Sequence, residues 1–258
     1  MFIYFIKLFE MIYYYVMKKL GKLLKNKRAI IFLDFEGTQF SHEMISLGAV
    51  ICNIKSDGKI KRYHKPFEIY VKPKNKIGKY VIDLTGITEE KLKTDGVSFK
   101  EAMEKFRKYC GSYFKSAAFA TFGGHDIRII NQSIAYNIDA PVELCRHIQK
   151  NHIDLSEIIS EFIKDENGNP MSLVNYCKLF SVDEAGPAHN AIVDALNLAH
   201  LYEKFTTDKI LILDEYKKVL KKMKHLPPPV TQVINRLVSG KDVSAEEFEL
   251  ELRDYINS

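Results

Sequence analysis

The chain has 258 residues, 46% hydrophobic and 28% charged, enough for one full domain with extensions or two small ones, and a composition that excludes wholesale disorder. Its net charge of +5 is lopsided: residues 1–28 hold seven Lys and Arg against Glu10 alone, while the remainder holds 31 basic and 32 acidic residues. The basic balance therefore belongs to the leading segment and gives little support for a large basic face on the main domain.

Cys52, Cys110, Cys145 and Cys177 lie far apart with no C-x-x-C pair, so a structural zinc site is unsupported and a reducing, cytoplasmic compartment is the simpler reading. The apolar, aromatic run from Met1 to Met17 is broken by Lys7 and Glu10 and falls short of the roughly 20 apolar residues of a spanning helix. Its positive residues follow the apolar run, which is the wrong order for a signal peptide. Two readings stay open: an amphipathic helix resting on a membrane or on the domain, and a translation start at Met17.

From Ala29 to Phe35 the chain is apolar and β-prone and predicts a buried strand. A second strand is predicted from Ile45 to Ile54, ended by the Ser56-Asp57-Gly58 turn, and a third from Pro66 to Val71. Short turns between them imply an antiparallel meander. Leu84-Thr85-Gly86-Ile87-Thr88 reads as a turn, with Thr88 as N-cap ahead of Glu89 and Glu90.

The period then changes. A helix is predicted from Phe99 to Phe114, a buried strand from Ala117 to Phe122, and after Gly123-Gly124 a helix carrying Ile127, Ile130 and Ile134 on one face. Asn167 to Pro170 is a loop, and helices follow from Ser172 to Phe180 and from about Ala188 to Phe205. A basic helix from Lys209 to His225, the Pro227-Pro228-Pro229 break and two short helices complete the chain. Strands first, then strands alternating with helices, is a mixed α/β layer pattern. The expected division is an N-terminal extension (1–28), a central domain (29–205) and a helical C-terminal extension (206–258).

Chemistry is suggested by five residues. Asp34 and Glu36, at i and i+2 of a strand, emerge on one face where the strand leaves the core. Such a pair repels unless protonated or bound to a divalent cation, and oxygen-only ligands suit Mg²⁺ or Mn²⁺. The competing reading is a D-x-E at an exposed strand end, common by chance. Asp126 lies just past a buried strand at the start of a helix, either a ligand-binding carboxylate or simply a cap. Asp194, inside the apolar helix that follows His189, would be costly to bury without a partner; solvent access is the other explanation.

In this order the motifs resemble the DEDDh (DnaQ-like) 3′→5′ exonuclease family over residues 29–205: D-x-E on the first strand, an Asp after a later strand, then H-x4-D on a late helix. Asp34 to Thr38 resembles the family's first motif, Leu84 to Thr88 its recurring turn, and His189 to Ala195 its third motif. The resemblance implies a ribonuclease H-like fold, a mixed five-stranded sheet flanked by helices, with a helical C-terminal extension. It also implies two Mg²⁺ or Mn²⁺ ions, with Asp34 bridging both, Glu36 and Asp194 on the first and Asp126 on the second. His189 would be the general base on the attacking water, Gly37 and Thr38 would contact the terminal nucleotide, and the products would be nucleoside 5′-monophosphates.

The D-F-E-x-T form is most similar to the RNA-trimming subgroup of histone-mRNA exonucleases and sporulation inhibitor-like proteins. The second motif, Phe122 to Asp126, lacks the tryptophan common there. The expected partner is thus the 3′ end of single-stranded RNA or DNA, RNA slightly favoured, with a protein partner placed on the C-terminal helices. Three rivals remain: a DNA proofreading or repair exonuclease, a non-catalytic nucleic-acid-binding adaptor of the same fold, and a membrane-anchored interaction protein. The stripe Lys217, Lys218, Lys221, Lys222 and Lys224 reads as a solvated helix face ahead of a phosphate guide.

Overall fold

The computed structural model describes residues 17–183, 186, 189–223 and 226–257. Residues 17–23 form a helix (α1). The sheet is built from β1 (Ala29–Gly37), β2 (Met44–Ile54), β3 (Ile60–Tyr63), β4 (Phe67–Tyr70), β5 (Ala117–Thr121) and β6 (His152–Asp154). Between and after the strands come α2 (Lys79–Thr85), α3 (Glu89–Asp95), α4 (Phe99–Cys110), α5 (His125–Tyr136), α6 (Val142–Lys150), α7 (Leu155–Ser160), α8 (Leu173–Leu179) and α9 (Ala191–Thr207). Three helices end the chain: α10 (Lys209–Lys221), α11 (Pro228–Val238) and α12 (Ala245–Asn257).

Strand order is β3-β2-β1-β5-β6, with β4 also on β2; β1–β2 is antiparallel, and β1–β5 and β5–β6 are parallel. This is the expected mixed sheet with one refinement. Its outer position is filled by two short strands, so six strands occupy five places. His64, Lys65 and Pro66 separate β3 from β4, and a proline has no N–H to give to a ladder. The three-residue β6 and the helix α2, which runs into the expected Leu84–Thr88 turn, carry periods too short to read in sequence. Thr88 caps α3 as expected, accepting from the Lys91 N–H.

β1 is buried on both faces, which is why it reads as a continuous apolar run. Ile30 and Phe32 join the cluster of Leu198, Tyr202 and Phe205 from α9; Ile31, Leu33 and Phe35 join that of Phe99, Phe106, Ile129 and Ile148 on α4, α5 and α6. Leu20 and Leu24, ahead of β1, and Ile212 and Tyr216 of α10 pack into the α9-side cluster. Alternation puts Asp34 and Glu36 on the face of Ile30 and Phe32, so the even-numbered face turns from apolar to acidic where α9 begins.

Residues 1–16 and Lys224 lie outside the described residues, and with them the Met1–Met17 reading. No described helix is long and apolar enough to cross a membrane. The four cysteines are buried.

Candidate active site

Gly48 of β2 stands opposite Asp34 of β1. A Cβ there would lie 2.0 Å from the Ala191 carbonyl oxygen at the start of α9. The absence of a side chain lets α9 descend onto the sheet beside Asp34 and brings Asp194 down with it. Ligand oxygens of Asp34, Glu36 and Asp194 all lie within 4.8 Å of one another.

Helix α9 starts later than the sequence suggested, because Asn190 is its N-cap and accepts from the Val193 N–H. Asp194 therefore sits in the first turn. His189 precedes the cap, in the left-handed region at φ 61. That conformation is unusual for a residue with a side chain and lets the His189 N–H donate to Asp194 Oδ2 at 2.8 Å.

Asp126 is buried, and its Oδ1 accepts from the Phe35 N–H at 2.9 Å. Strand β5 pairs with β1 only as far as Phe32, leaving the Phe35 N–H to this side chain. Asp126 thus binds across to β1, which capping of α5 alone would not require. Together with Asp34, Glu36, His189 and Asp194 it lines a cleft of about 330 Å³, completed by His125, Phe122, and Ser172, Leu173 and Val174 at the start of α8.

The carboxylates disfavour one another's charge. Burial, then Asp126, Glu36 and Asp194, hold the Asp34 carboxyl well above its ordinary range. Burial, with Asp194, raises Glu36 to about 7. Burial raises Asp126 to about 8 even though the Phe35 N–H opposes the shift. Asp194 is raised by burial against the pull of the His189 N–H. Four half-buried or buried acids gathered this closely are an arrangement that a divalent ion would relieve, and their oxygen-only donors suit a hard one.

Gly37 and Thr38 do not line this cleft. Gly37 closes β1 opposite Met44, with the Ile129 side chain 3.0 Å from where a Cβ would stand. Thr38 is buried; its Oγ1 accepts from the Glu43 N–H and pairs with Ser41 Oγ. Their observed position is structural, shaping the β1–β2 loop.

Sequence reasoning missed Gly48, although a glycine inside an apolar strand is a signal of close backbone approach. It also missed Glu43, a buried carboxylate accepting from the Lys74 and Asn75 N–H groups and from Asn75 Nδ2. Nothing in the local pattern marks Glu43, because Lys74 and Asn75, which it ties to the loop, are some 30 residues away.

The family model described as an exonuclease, RNase T, matches residues 31–202. A DNA polymerase III of PolC type from Mycoplasmopsis pulmonis is 27% identical over 185 residues, 67% of this chain but 12% of the polymerase, so the chain spans a small part of that relative's length. Among solved structures, the nuclease domain of 3′hExo, described as a DEDDh family member bound to rAMP, is similar at TM-score 0.57 and 20% identity, over 71% of this chain and 94% of that one. Cell-death related nuclease 4 (TM-score 0.53, 23% identity) covers 70% of this chain and 64% of its own. E. coli Exonuclease I with a dA16 oligonucleotide (TM-score 0.54, 16% identity) covers 76% and 44%. With the family model covering two thirds of the residues, the chain belongs to the RNase T exonuclease family and has the DEDDh fold.

Proposed function

We propose that the chain is a metal-dependent 3′→5′ exonuclease that shortens single-stranded nucleic acid, RNA in preference to DNA, to nucleoside 5′-monophosphates. The observation that carries this reading is the convergence of Asp34, Glu36 and Asp194, with Asp126 and His189, on one cleft from three separate elements. Asp34, Glu36 and Asp194 would hold one divalent ion and Asp126, with Asp34, a second; Mg²⁺ or Mn²⁺ fits the all-oxygen set. When bound, such ions polarise the phosphodiester and lower the pKa of water.

The remaining work falls to this chain's own groups. His189, exposed at the cleft, would take the proton from the attacking water on an imidazole nitrogen. Its backbone N–H fixes Asp194, coupling base and carboxylate through one residue. Apolar Phe122, Leu173 and Val174 would exclude water from the reacting end. Gly37 and Thr38 would act on substrate through the shape of the β1–β2 loop.

The RNA preference and the histone-mRNA-like subgroup are supported by the D-F-E-x-T motif and by neighbours whose structures hold rAMP or concern a histone mRNA stem-loop. The PolC-type relative favours the second reading, a DNA proofreading exonuclease. Residues 29–205 are taken as the exonuclease unit, with 1–28 and 206–258 as extensions that in part pack against it, and a reducing, cytoplasmic compartment suits four buried cysteines with no C-x-x-C pair.

The test is incubation with 3′- and 5′-labelled single-stranded RNA and DNA in Mg²⁺, Mn²⁺ or EDTA. Stepwise loss from the 3′ end, faster on RNA and abolished by EDTA, is expected. Folded protein that shortens neither substrate in either metal would sink the catalytic claim and favour the adaptor reading.

A further inference from the structure

His125 lines the cleft, and its ring meets that of His42 edge-on, with centroids 5.4 Å apart and planes at 86°. His42 lies on the β1–β2 loop and does not hang free. Its N–H donates to the Thr38 carbonyl, its backbone is held at φ 51, and the neighbouring Glu43 carboxylate ties the loop to Lys74 and Asn75. Arg128 follows His125 by three residues on α5 and so shares its face. The guanidinium is exposed and makes no ion pair among the described residues.

One edge of the acidic cleft is thus lined by His125, with the His42 ring packed against it and Arg128 one turn farther along the same face of α5. Another part of the lining, Phe122, Leu173 and Val174, is apolar. A polyanionic strand whose terminal phosphodiester lies over the carboxylates carries its next phosphate out toward the rim of the cleft. The edge at His125 offers ring N–H donors and the charge of Arg128 to receive it, where the apolar part offers neither.

We propose that His42, His125 and Arg128 form the seat of the penultimate internucleotide phosphate, so that the protein grips two successive phosphates of its substrate. This rests on the exonuclease reading and deepens it. The seat is indifferent to base and sugar, and it makes oligonucleotides better substrates than single-nucleotide esters by lowering KM.

The experiment uses the full chain and oligonucleotides carrying one neutral methylphosphonate, either at the penultimate linkage or several linkages farther in. For the wild type, the penultimate replacement is expected to raise KM, and the Kd measured by fluorescence anisotropy in Ca²⁺, by about tenfold, and the distant one to change neither. Arg128→Gln should raise KM on the ordinary oligonucleotide by a similar factor and no longer distinguish it from the penultimate methylphosphonate. Arg128→Lys should recover most of the loss. An Arg128→Gln protein that still discriminates as strongly as the wild type would overturn the seat. The p-nitrophenyl ester of a nucleoside 5′-monophosphate, which has no penultimate phosphate, separates the two levels. If the wild type turns over this ester but Arg128→Gln keeps its discrimination, the seat alone fails; if neither ester nor oligonucleotide is turned over, the exonuclease reading fails and the seat with it.

Discussion

Asp194 of α9 and Glu247 of α12 are both carboxylates in the first turn of a helix, where the macrodipole favours negative charge. Their environments nevertheless drive them in opposite directions. Glu247 closes a capping box: Ser244 Oγ accepts from its N–H, its own carboxylate accepts from the Ser244 N–H, and Arg236 lies beside it. Its pKa is lowered by that N–H and by Arg236. Asp194 has a comparable N–H donor in His189, yet burial prevails and its pKa is raised. Helix α9 buries ten residues and α12 none. A first-turn acid whose charge is disfavoured in spite of the dipole and a backbone donor is poor for stability and well placed for a cation; one whose every group is satisfied locally is a helix stop.

The largest effect should come from removing one charge from the acidic set. Asp34→Asn is expected to lower turnover by about 10³-fold or more, since the metal chemistry it supports supplies several kcal/mol. The same change should raise the thermal midpoint of the metal-free protein, because burial and three acidic neighbours disfavour the Asp34 charge. Calorimetry in EDTA beside a Mn²⁺ titration reads both, and a metal-free Asp34→Asn protein that melts lower than the wild type would remove the contrast with α12.

His189 sharpens the comparison from the other side, since it links the cleft to Asp194 through its backbone and to the reaction through its ring. His189→Gly is the informative variant: glycine accepts φ 61 without strain and keeps the N–H to Asp194, whereas alanine in that region costs about 1 kcal/mol. Turnover should fall by about 10²–10⁴-fold with Mn²⁺ affinity nearly unchanged. A parallel loss of Mn²⁺ affinity would mean that the imidazole serves the metal and not the proton.

Gly48→Ala tests what brings Asp194 into place. Its Cβ would meet the α9 backbone, which has no flexible side chain to move aside, so a loss of several kcal/mol in urea unfolding is expected. Such contacts mark the limit of what the sequence discloses. Asp34, Glu36, Asp126, His189 and Asp194 were legible because strand and helix periods, read with motif order, place them at element ends. The strands of β1, β2 and β5 were legible because their apolar runs are long. The registration of Gly48 against α9, the Glu43 staple and the pairing of His42 with His125 were not, since each joins segments far apart in sequence with no local period. Helix α2 and strand β6 were missed for a different reason: seven and three residues are too few to establish a pattern.

The acid set should also mark itself in the pH dependence of stability. Glu36 and Asp126 have folded pKa values raised to about 7 and about 8, above those of an unfolded chain. The folded state therefore binds more protons, and the stability these groups confer is complete below about pH 4 and lost as pH rises through about 7 to 8. In EDTA the thermal midpoint should fall from about pH 5 to pH 8; in Mg²⁺ the fall should shrink or reverse, because the ion favours the ionised form. A midpoint equally flat with and without metal would place these carboxylates in ordinary solvent, like those of α12.

The smallest effect is expected on α10, where the sequence left a basic stripe between two readings. Lys217 pairs with Asp214 at 2.9 Å and Lys218 with Glu215 at 2.6 Å, both three residues apart on one helix, and Lys222 Nζ donates to the Glu166 carbonyl. Charges matched along their own helix leave little field for a phosphate backbone, in contrast to Arg128 of α5, which makes no ion pair among the described residues. Lys217, Lys218, Lys221 and Lys222 changed together to Gln should leave KM for single-stranded substrate, and its dependence on salt, within about twofold of the wild type. A clear flattening of the salt dependence would instead put nucleic acid on α10 and make the C-terminal helices part of the substrate path.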